Sequence, residues 1–260
     1  MKGIVLAGGL GLRLYPLTSV TNKHLLPVFN KPMIYYPIQM LVDAGIKDIM
    51  IVTGGSNAGD FLRLLGDGKG FGLKHLNYTY QKKEGGIAEA LGLAEHFGAG
   101  SNKLVVVLGD NIIGGSISES VQHFANQRQG ARIILKKVKD ADRFGVAKLQ
   151  GKKLIRIVEK PKHFVSDYAV TGIYMYDSKV FEIIKKLKPS ERKELEITDV
   201  NNQYIEWHQM EYDIMKCWWT DAGTFDSLLM ANSLVAKKQR RQVTGDKITG
   251  NRERVTNYGF

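Results

Sequence analysis

Blocks of unbroken apolar residues recur along this chain, and between them the apolar spacing lengthens to three and four. Residues 2–7, 48–53 and 104–108 are short, nearly all-apolar runs. Such runs mark strands covered on both faces of a sheet. The intervening stretches predict helices over 32–44, 57–65, 87–97 and 116–129. Pro32 and Gly45 bracket the first of these, and Pro37 inside it predicts a kink or a late start. Residues 74–80 and 131–138 read as further strands. The resulting strand–helix alternation predicts an α/β fold: a Rossmann-like, mostly parallel sheet flanked by helices.

The second half changes character. Strands are expected over 144–149 and 153–160, joined by a Gln150-Gly151 turn, and over 167–176 and 211–216. Helices are expected over 179–187, 198–206 and 224–242. No linker rich in Pro, Gly or Ser separates the halves, and no internal repeat is visible. One domain is therefore expected over 1–243, in which the second half adds strands that cover a site on the first. Residues 244–260 are expected to form a basic, loosely ordered tail.

Charge modifies this picture only at the C-terminal end. The 260 residues carry a net charge of +11, and residues 237–260 contribute seven basic side chains against Asp246 and Glu253. A tail of that kind reads as a solvated helix end or as a surface for nucleic acid or membrane. It has no nucleic-acid motif, and no nucleic-acid partner is expected. No apolar run approaches the roughly 18–20 residues of a membrane span. Cys217 is the single cysteine, so no internal disulfide can form, which fits a cytoplasmic setting. Cys217 reads as a packing residue or as a catalytic thiol.

Three strand ends carry candidate chemistry. The first apolar run breaks into Gly8-Gly9-Leu10-Gly11-Leu12-Arg13, and Lys23 follows ten residues later. Glycines at such a strand end let backbone N–H groups approach a phosphate, and the two cations suit a phosphoryl group. The loop matches neither GxxxxGK[ST] nor GxGxxG, so a plain tight turn is the other reading. Asp110 follows the central apolar run, as a ligand for a hard cation or as a turn residue. Asp221 precedes the last helix, as a second carboxylate for that cation or as a partner of the helix dipole. In Glu159-Lys160-Pro161 the adjacent charges face opposite sides of a strand unless the chain twists there. They read as a ligand clamp or as a solvated strand end.

Taken in order, these segments resemble the sugar-nucleotidyltransferase family. The resemblance rests on Gly3-Ile4-Val5-Leu6-Ala7-Gly8-Gly9-x-Gly11-x-Arg13-Leu14-Tyr15-Pro16 and on Lys23-His24-Leu25-Leu26-Pro27-Val28. It continues through Leu108-Gly109-Asp110-Asn111, Arg143-Phe144-Gly145-Val146, Glu159-Lys160-Pro161 and Tyr168-Ala169-Val170-Thr171-Gly172-Ile173-Tyr174. It ends with Glu194-Leu195-Glu196-Ile197-Thr198-Asp199 and Trp219-Thr220-Asp221-Ala222-Gly223-Thr224, covering roughly residues 2 to 235.

The resemblance implies the nucleotide-diphospho-sugar transferase fold and transfer of a nucleotidyl group from dTTP to glucose 1-phosphate, assisted by Mg²⁺. UTP or another sugar 1-phosphate is the alternative within the same chemistry. A non-catalytic sugar-nucleotide sensor, or a module that binds nucleic acid through the basic tail, is the alternative outside it. By position, Gly8, Gly9 and Gly11 would cradle the triphosphate, and Leu6 and Ala7 would line the base and ribose. Arg13 and Lys23 would hold the phosphates. Gln81 and Gly86 would read the base edge. Asp110 and Asp221 would hold Mg²⁺. Lys160 would bind the sugar phosphate, while Asn111, Gly145, Glu159 and Val170 would contact the sugar. Leu12, His24 and Phe144 depart from the family pattern, where a small hydroxyl residue, glutamine and tyrosine are common. A homo-oligomer is expected, with weak or absent feedback at a second nucleotide site.

Overall fold

The apolar runs at 2–7, 48–53 and 104–108 become adjacent strands at the middle of a nine-stranded sheet. The coordinates are those of a computed structural model, which describes residues 1–55 and 57–249, with side chains described as far as Arg241. The strands are β1 (Lys2–Ala7), β2 (Pro27–Val28), β3 (Lys31–Pro32), β4 (Asp48–Gly54), β5 (His75–Gln81), β6 (Lys103–Leu108) and β7 (Asn111–Ile113). They continue with β8 (Ala131–Lys137), β9 (Gly145–Gln150), β10 (Lys153–Glu159), β11 (Tyr168–Asp177), β12 (Met210–Ile214) and β13 (Trp219–Asp221). The helices are α1 (Tyr35–Asp43), α2 (Ala58–Leu65), α3 (Ile87–Gly92), α4 (Glu95–Gly98), α5 (Ser118–Asn126), α6 (Val180–Lys186), α7 (Ile197–Glu206) and α8 (Phe225–Thr249).

Strands β5, β4, β1 and β6 lie side by side and parallel. Alternate residues of β1 serve opposite layers, as strand geometry requires. Ile4 and Leu6 pack with Ala88 and Leu91 of α3, Val180 of α6 and Val200 of α7. Val5 and Ala7 pack with Ile38 and Leu41 of α1, Phe61 of α2 and Phe124 of α5. Both faces are therefore covered, which is why these strands carry no polar alternation.

The second half extends this sheet instead of forming a separate body. Strand β11 is antiparallel to β6 on one edge and to β8 on the other, and β8 pairs with β12. The β9–β10 hairpin joins through a single register position, Ala169 against Val146. Seven of the nine strands run in one direction, with β10 and β11 opposed.

Element ends differ from the sequence expectation for local reasons. Helix α1 starts late, at Tyr35, which leaves Pro37 in the first turn where its missing N–H costs nothing. The expected helix over 87–97 divides into α3 and α4 just after Gly92, where a β-carbon would meet Ile184 of α6 at 3.2 Å. Helix α5 begins at Ser118, whose N–H donates to Ser116 Oγ at 3.0 Å. Helix α8 runs on to Thr249, beyond the expected domain end at 243; of the tail expected over 244–260, residues 250–260 lie outside the described residues.

A buried polar contact ties α7 to the end of β11. Tyr204 Oη donates to Asp177 Oδ1 at 2.7 Å, and the other oxygen of Asp177 accepts from Gly130 N–H. The Tyr204→Phe variant removes a donor from this carboxylate and is expected to lower unfolding stability by about 1–3 kcal/mol. A urea titration with an unchanged midpoint would show that the contact carries no such weight.

Candidate active site

The carboxyl end of β1 opens into the glycine loop. Gly9 and Gly11 take φ of +91° and +65°, a region that side chains rarely enter. At Gly11 a β-carbon would also lie 2.9 Å from Thr18 Cγ2 and 3.0 Å from Lys23 Cβ. Only glycine lets the loop fold onto the turn that carries Lys23. Leu14 ends the loop as a fully buried anchor, clustered with Leu26, Val28, Ala222 and Ala231. Leu12 is 72% exposed at the rim, so its aliphatic side chain is not part of the packing.

Opposite the loop, β7 and β13 form a short ribbon that sets Asp221 beside Asn111. Asp110 N-terminal to that ribbon and Asp221 within it then converge. A β-carbon on Gly223 would stand 3.2 Å from Arg13 Nη2, 3.3 Å from Asp221 Oδ2 and 3.6 Å from Asp110 Oδ2. The missing side chain at Gly223 leaves the space these three groups share.

Asp110 is buried and held from three sides. Lys23 Nζ lies 2.6 Å from Oδ2, Asn111 Nδ2 donates to Oδ1 at 3.0 Å, and Ala222 N–H donates to its carbonyl at 2.9 Å. Burial alone would raise the pKa of this carboxyl. The Lys23 charge and hydrogen bond outweigh it, so Asp110 is held well below the usual carboxylate range. Asn111 accepts in turn from Gly172 N–H and Trp219 Nε1, which fixes the orientation of its amide. Asp221 has a more distant counter-charge, Arg143 Nη2 at 3.7 Å from Oδ1. Burial and the neighbouring Asp110 push its pKa up to about 6, against the weaker pull of Arg143 and Arg13.

His24 sits behind Lys23 as a neutral wedge. Desolvation and the Lys23 charge lower its pKa to about 3, and its Nδ1 meets Asn22 Oδ1 at 2.8 Å. Its ring leaves room for nothing larger than glycine at Gly109, where a β-carbon would lie 2.6 Å from Cδ2.

At the far end of the cavity, Lys160 takes φ of +39° and its N–H donates to Phe144 carbonyl. That left-handed turn is what brings adjacent Glu159 and Lys160 to one side; their charged ends lie 4.0 Å apart. Thr198 Oγ1 donates to Glu159 Oε2 at 2.5 Å and Arg192 Nη2 lies 3.4 Å from Oε1. At the other end, Gln81 sits against Gly8.

These groups line one cavity of about 480 Å³, within the usual range for small-molecule sites. Leu6, Gly8, Gly9, Gly11, Arg13, Lys23, Gln81 and Gly86 line its loop side. Asp110, Asn111, Gly145, Glu159, Lys160, Val170 and Asp221 line the remainder. Ala7 differs: its fully buried side chain points into the layer of α1 and α2, away from the cavity, because it alternates with Leu6.

The sequence reading quoted Arg143 and Gly223 within motifs without giving either a role. Arg143 Nη2 lies 3.7 Å from Asp221 Oδ1, and its guanidinium sits over Phe144, 5.3 Å from the ring centroid. Phe144 in turn packs on Trp219 with centroids 4.9 Å apart. Thr198 was likewise quoted without a role, and Arg192 was missed. Arg192 lies among the carboxylates Glu194 and Glu196, and that dense charge pattern before α7 was the available signal.

Comparison with known proteins matches the chain to one family. The model of the nucleotidyl transferase family matches residues 2–238. A glucose-1-phosphate thymidylyltransferase of Neisseria meningitidis is 44% identical over 246 residues, covering 93% of this chain and 85% of the relative. One from Mycobacterium tuberculosis is 42% identical over 247 residues, covering 93% and 84%. A Bacillus anthracis protein described as a glucose-1-phosphate thymidylyltransferase, crystallised with sucrose, is 56% identical with a TM-score of 0.86, covering 90% of this chain and 94% of that one. A UDP-glucose pyrophosphorylase bound to UDP-glucose shares the fold at 24% identity, with a TM-score of 0.79 and coverage of 91% and 98%.

The raised pKa of Asp221 has a consequence for stability. Its folded value of about 6 exceeds the unfolded carboxyl value near 3.9, so the folded state binds its proton more tightly. Ionised Asp221 therefore destabilises the fold above pH 6, and the penalty fades as pH falls from 6 towards 4. Without divalent cations, Asp221→Asn is expected to be more stable than the parent by about 1–2 kcal/mol at pH 7.5, and by less at pH 4.5. Chemical denaturation at the two pH values reads this; equal differences would contradict it.

Proposed function

The chain belongs to the nucleotidyl transferase family, and on that premise we propose that it joins dTTP to glucose 1-phosphate, giving dTDP-glucose and pyrophosphate. The observation that carries this reading is the convergence of Arg13, Asp110 and Asp221 at Gly223, between the glycine loop and Lys160. The thymidylyltransferase relatives at 40–44% identity support the substrates.

A sugar-phosphate oxygen attacks the α-phosphorus of dTTP, the bond from that phosphorus to the bridging oxygen breaks, and pyrophosphate leaves. Such a displacement needs alignment and charge neutralisation. The amides of Gly8, Gly9 and Gly11 with Arg13 and Lys23 bind the triphosphate. Lys160 holds the sugar phosphate on the opposite side. Leu6, Gln81 and Gly86 receive the base, while Glu159, Asn111, Val170 and the Gly145 backbone meet the sugar. Thr198 and Arg192 keep Glu159 in place. Arg143 adds positive charge beside Asp221.

Nucleotidyl transfer of this kind uses a divalent cation, and Asp110 with Asp221 fits Mg²⁺. Their oxygens are hard donors aimed at one space, and burial with the neighbouring Asp110 outweighs the pull of Arg143 and Arg13 on Asp221. Among the described residues no cluster of three or more His, Cys, Asp or Glu forms. Two carboxylates suffice for Mg²⁺, which takes its other ligands from water and substrate phosphates. When bound, Mg²⁺ supplies charge that offsets the phosphate oxygens.

The same reading makes the protein a cytoplasmic homo-oligomer. Phe225, Leu229 and Met230 expose apolar surface along α8, which supports association of copies. No described helix is long and apolar enough to cross a membrane.

Pyrophosphate release should be fastest with dTTP plus glucose 1-phosphate among dTTP, UTP, dCTP, ATP and GTP paired with several sugar 1-phosphates; a faster pair would replace the assignment. Arg13→Ala and Asp110→Asn should each lower kcat by about 10²–10³-fold. Gly223→Ala places a methyl group in the space shared by three charged groups and should lower kcat by at least about tenfold with little change in melting temperature. Full activity in any of these variants would remove that residue from the mechanism.

A further inference from the structure

Gln81 has an amide whose two ends are not equivalent in this site. Its Nε2 donates to Glu89 Oε2 at 2.7 Å and lies 3.4 Å from Gly86 carbonyl. A carboxylate and a carbonyl offer only acceptors, so the amide cannot be turned end for end without setting oxygen against oxygen. Its Oε1 accepts from no described residue and faces Gly8 across the cavity wall, 2.4 Å from where a β-carbon of that glycine would be. Gln81 is 7% exposed, so this orientation is held inside the protein.

Glu89 is itself fixed by backbone. Its Oε2 also accepts from Gly85 N–H at 3.0 Å. A β-carbon at Gly85 would lie 2.3 Å from that oxygen, so glycine is required for the carboxylate to sit there. Glu89 projects from the first turn of α3 and, unlike Gln81, is not part of the cavity lining.

We propose that Glu89 is the residue that sets base specificity, by locking Gln81 with its carbonyl oxygen towards the nucleobase. An acceptor there pairs with the N3–H of a thymine or uracil imide. The N3 of cytosine carries a lone pair in the same place and would meet Gln81 Oε1 unsatisfied, which costs far more than a missing methyl contact. Glu89 acts as a positioning residue in this scheme, since it touches Gln81 and not the base. The inference rests on the proposed nucleotidyl transfer only for the placement of the base against Gln81.

The test compares dTTP with 5-methyl-dCTP, which differ only at the N3 and C4 edge. Dissociation constants are measured by calorimetry on the wild type, Glu89→Leu and Glu89→Gln, with dTTP turnover assayed in parallel. The wild type should favour dTTP by about 100-fold. Glu89→Leu removes the nearer acceptor and leaves the amide held by the longer 3.4 Å contact to Gly86 carbonyl, so the lock weakens and the preference should fall at least about tenfold. Glu89→Gln should keep most of it, because Gly85 N–H holds the new amide oxygen where the carboxylate oxygen was. Each ratio comes from one preparation, so misfolded protein cancels from it. Glu89→Leu retaining the wild-type ratio, Glu89→Gln losing as much as Glu89→Leu, or a wild type with no preference would each overturn the proposal. Absence of dTTP turnover alongside the expected binding ratios would instead overturn the proposed reaction and leave the role of Glu89 standing.

Discussion

A buried and a partly buried carboxylate pointing at one space are the constraint around which the rest of the structure is arranged. Asp110 and Asp221 cannot both ionise there at low cost, and the chain resolves this unequally. Asp110 receives Lys23, and Asn111 fixes its other oxygen. Asp221 receives only the more distant Arg143 and Arg13, and its pKa rises to about 6. The result is a centre with unmet demand for positive charge, at the carboxyl ends of β1 and β6 where parallel sheets place their ligands.

Every element near this centre serves its geometry. The β7–β13 ribbon is three residues long on each side, yet it alone sets Asp221 against Asn111. The Gly11 turn brings Lys23 and Arg13 to the same side of the loop. The β9–β10 hairpin delivers Glu159 and Lys160 to the opposite wall, and the left-handed Lys160 turns both charges inward. Two side chains of the wall are already engaged: Thr198 donates to Glu159, and His24 is buried and neutral beside Asn22. The chain offers charge and position, which is what displacement at a phosphorus needs.

Much of this was legible in the sequence because it depends on local pattern. Short unbroken apolar runs rich in β-branched residues and flanked by glycine favour strands covered on both faces, and β1, β4 and β6 appear within a residue of their expected limits. The sense of β11 was not legible, since a ten-residue run buried at every position after Tyr168 carries no sign of its direction. Strands β7 and β13 were too short to show a period. Ala7 was assigned to the cavity by motif, whereas alternation along β1 turns its side chain into the core. Nor could residue order show Arg143 beside Asp221 or Glu89 against Gln81, for both contacts depend on how separate loops return to one place.

The central claim is that the chain neutralises and aligns a single displacement and does not take the nucleotidyl group onto a side chain of its own. The stereochemistry at the α-phosphorus tests this directly, using dTTP carrying one configuration of an α-thio substitution and reading the configuration of the dTDP-glucose analogue by ³¹P NMR. A single in-line displacement gives inversion. Retention, the mark of two successive displacements through a protein-bound nucleotidyl group, would contradict the account.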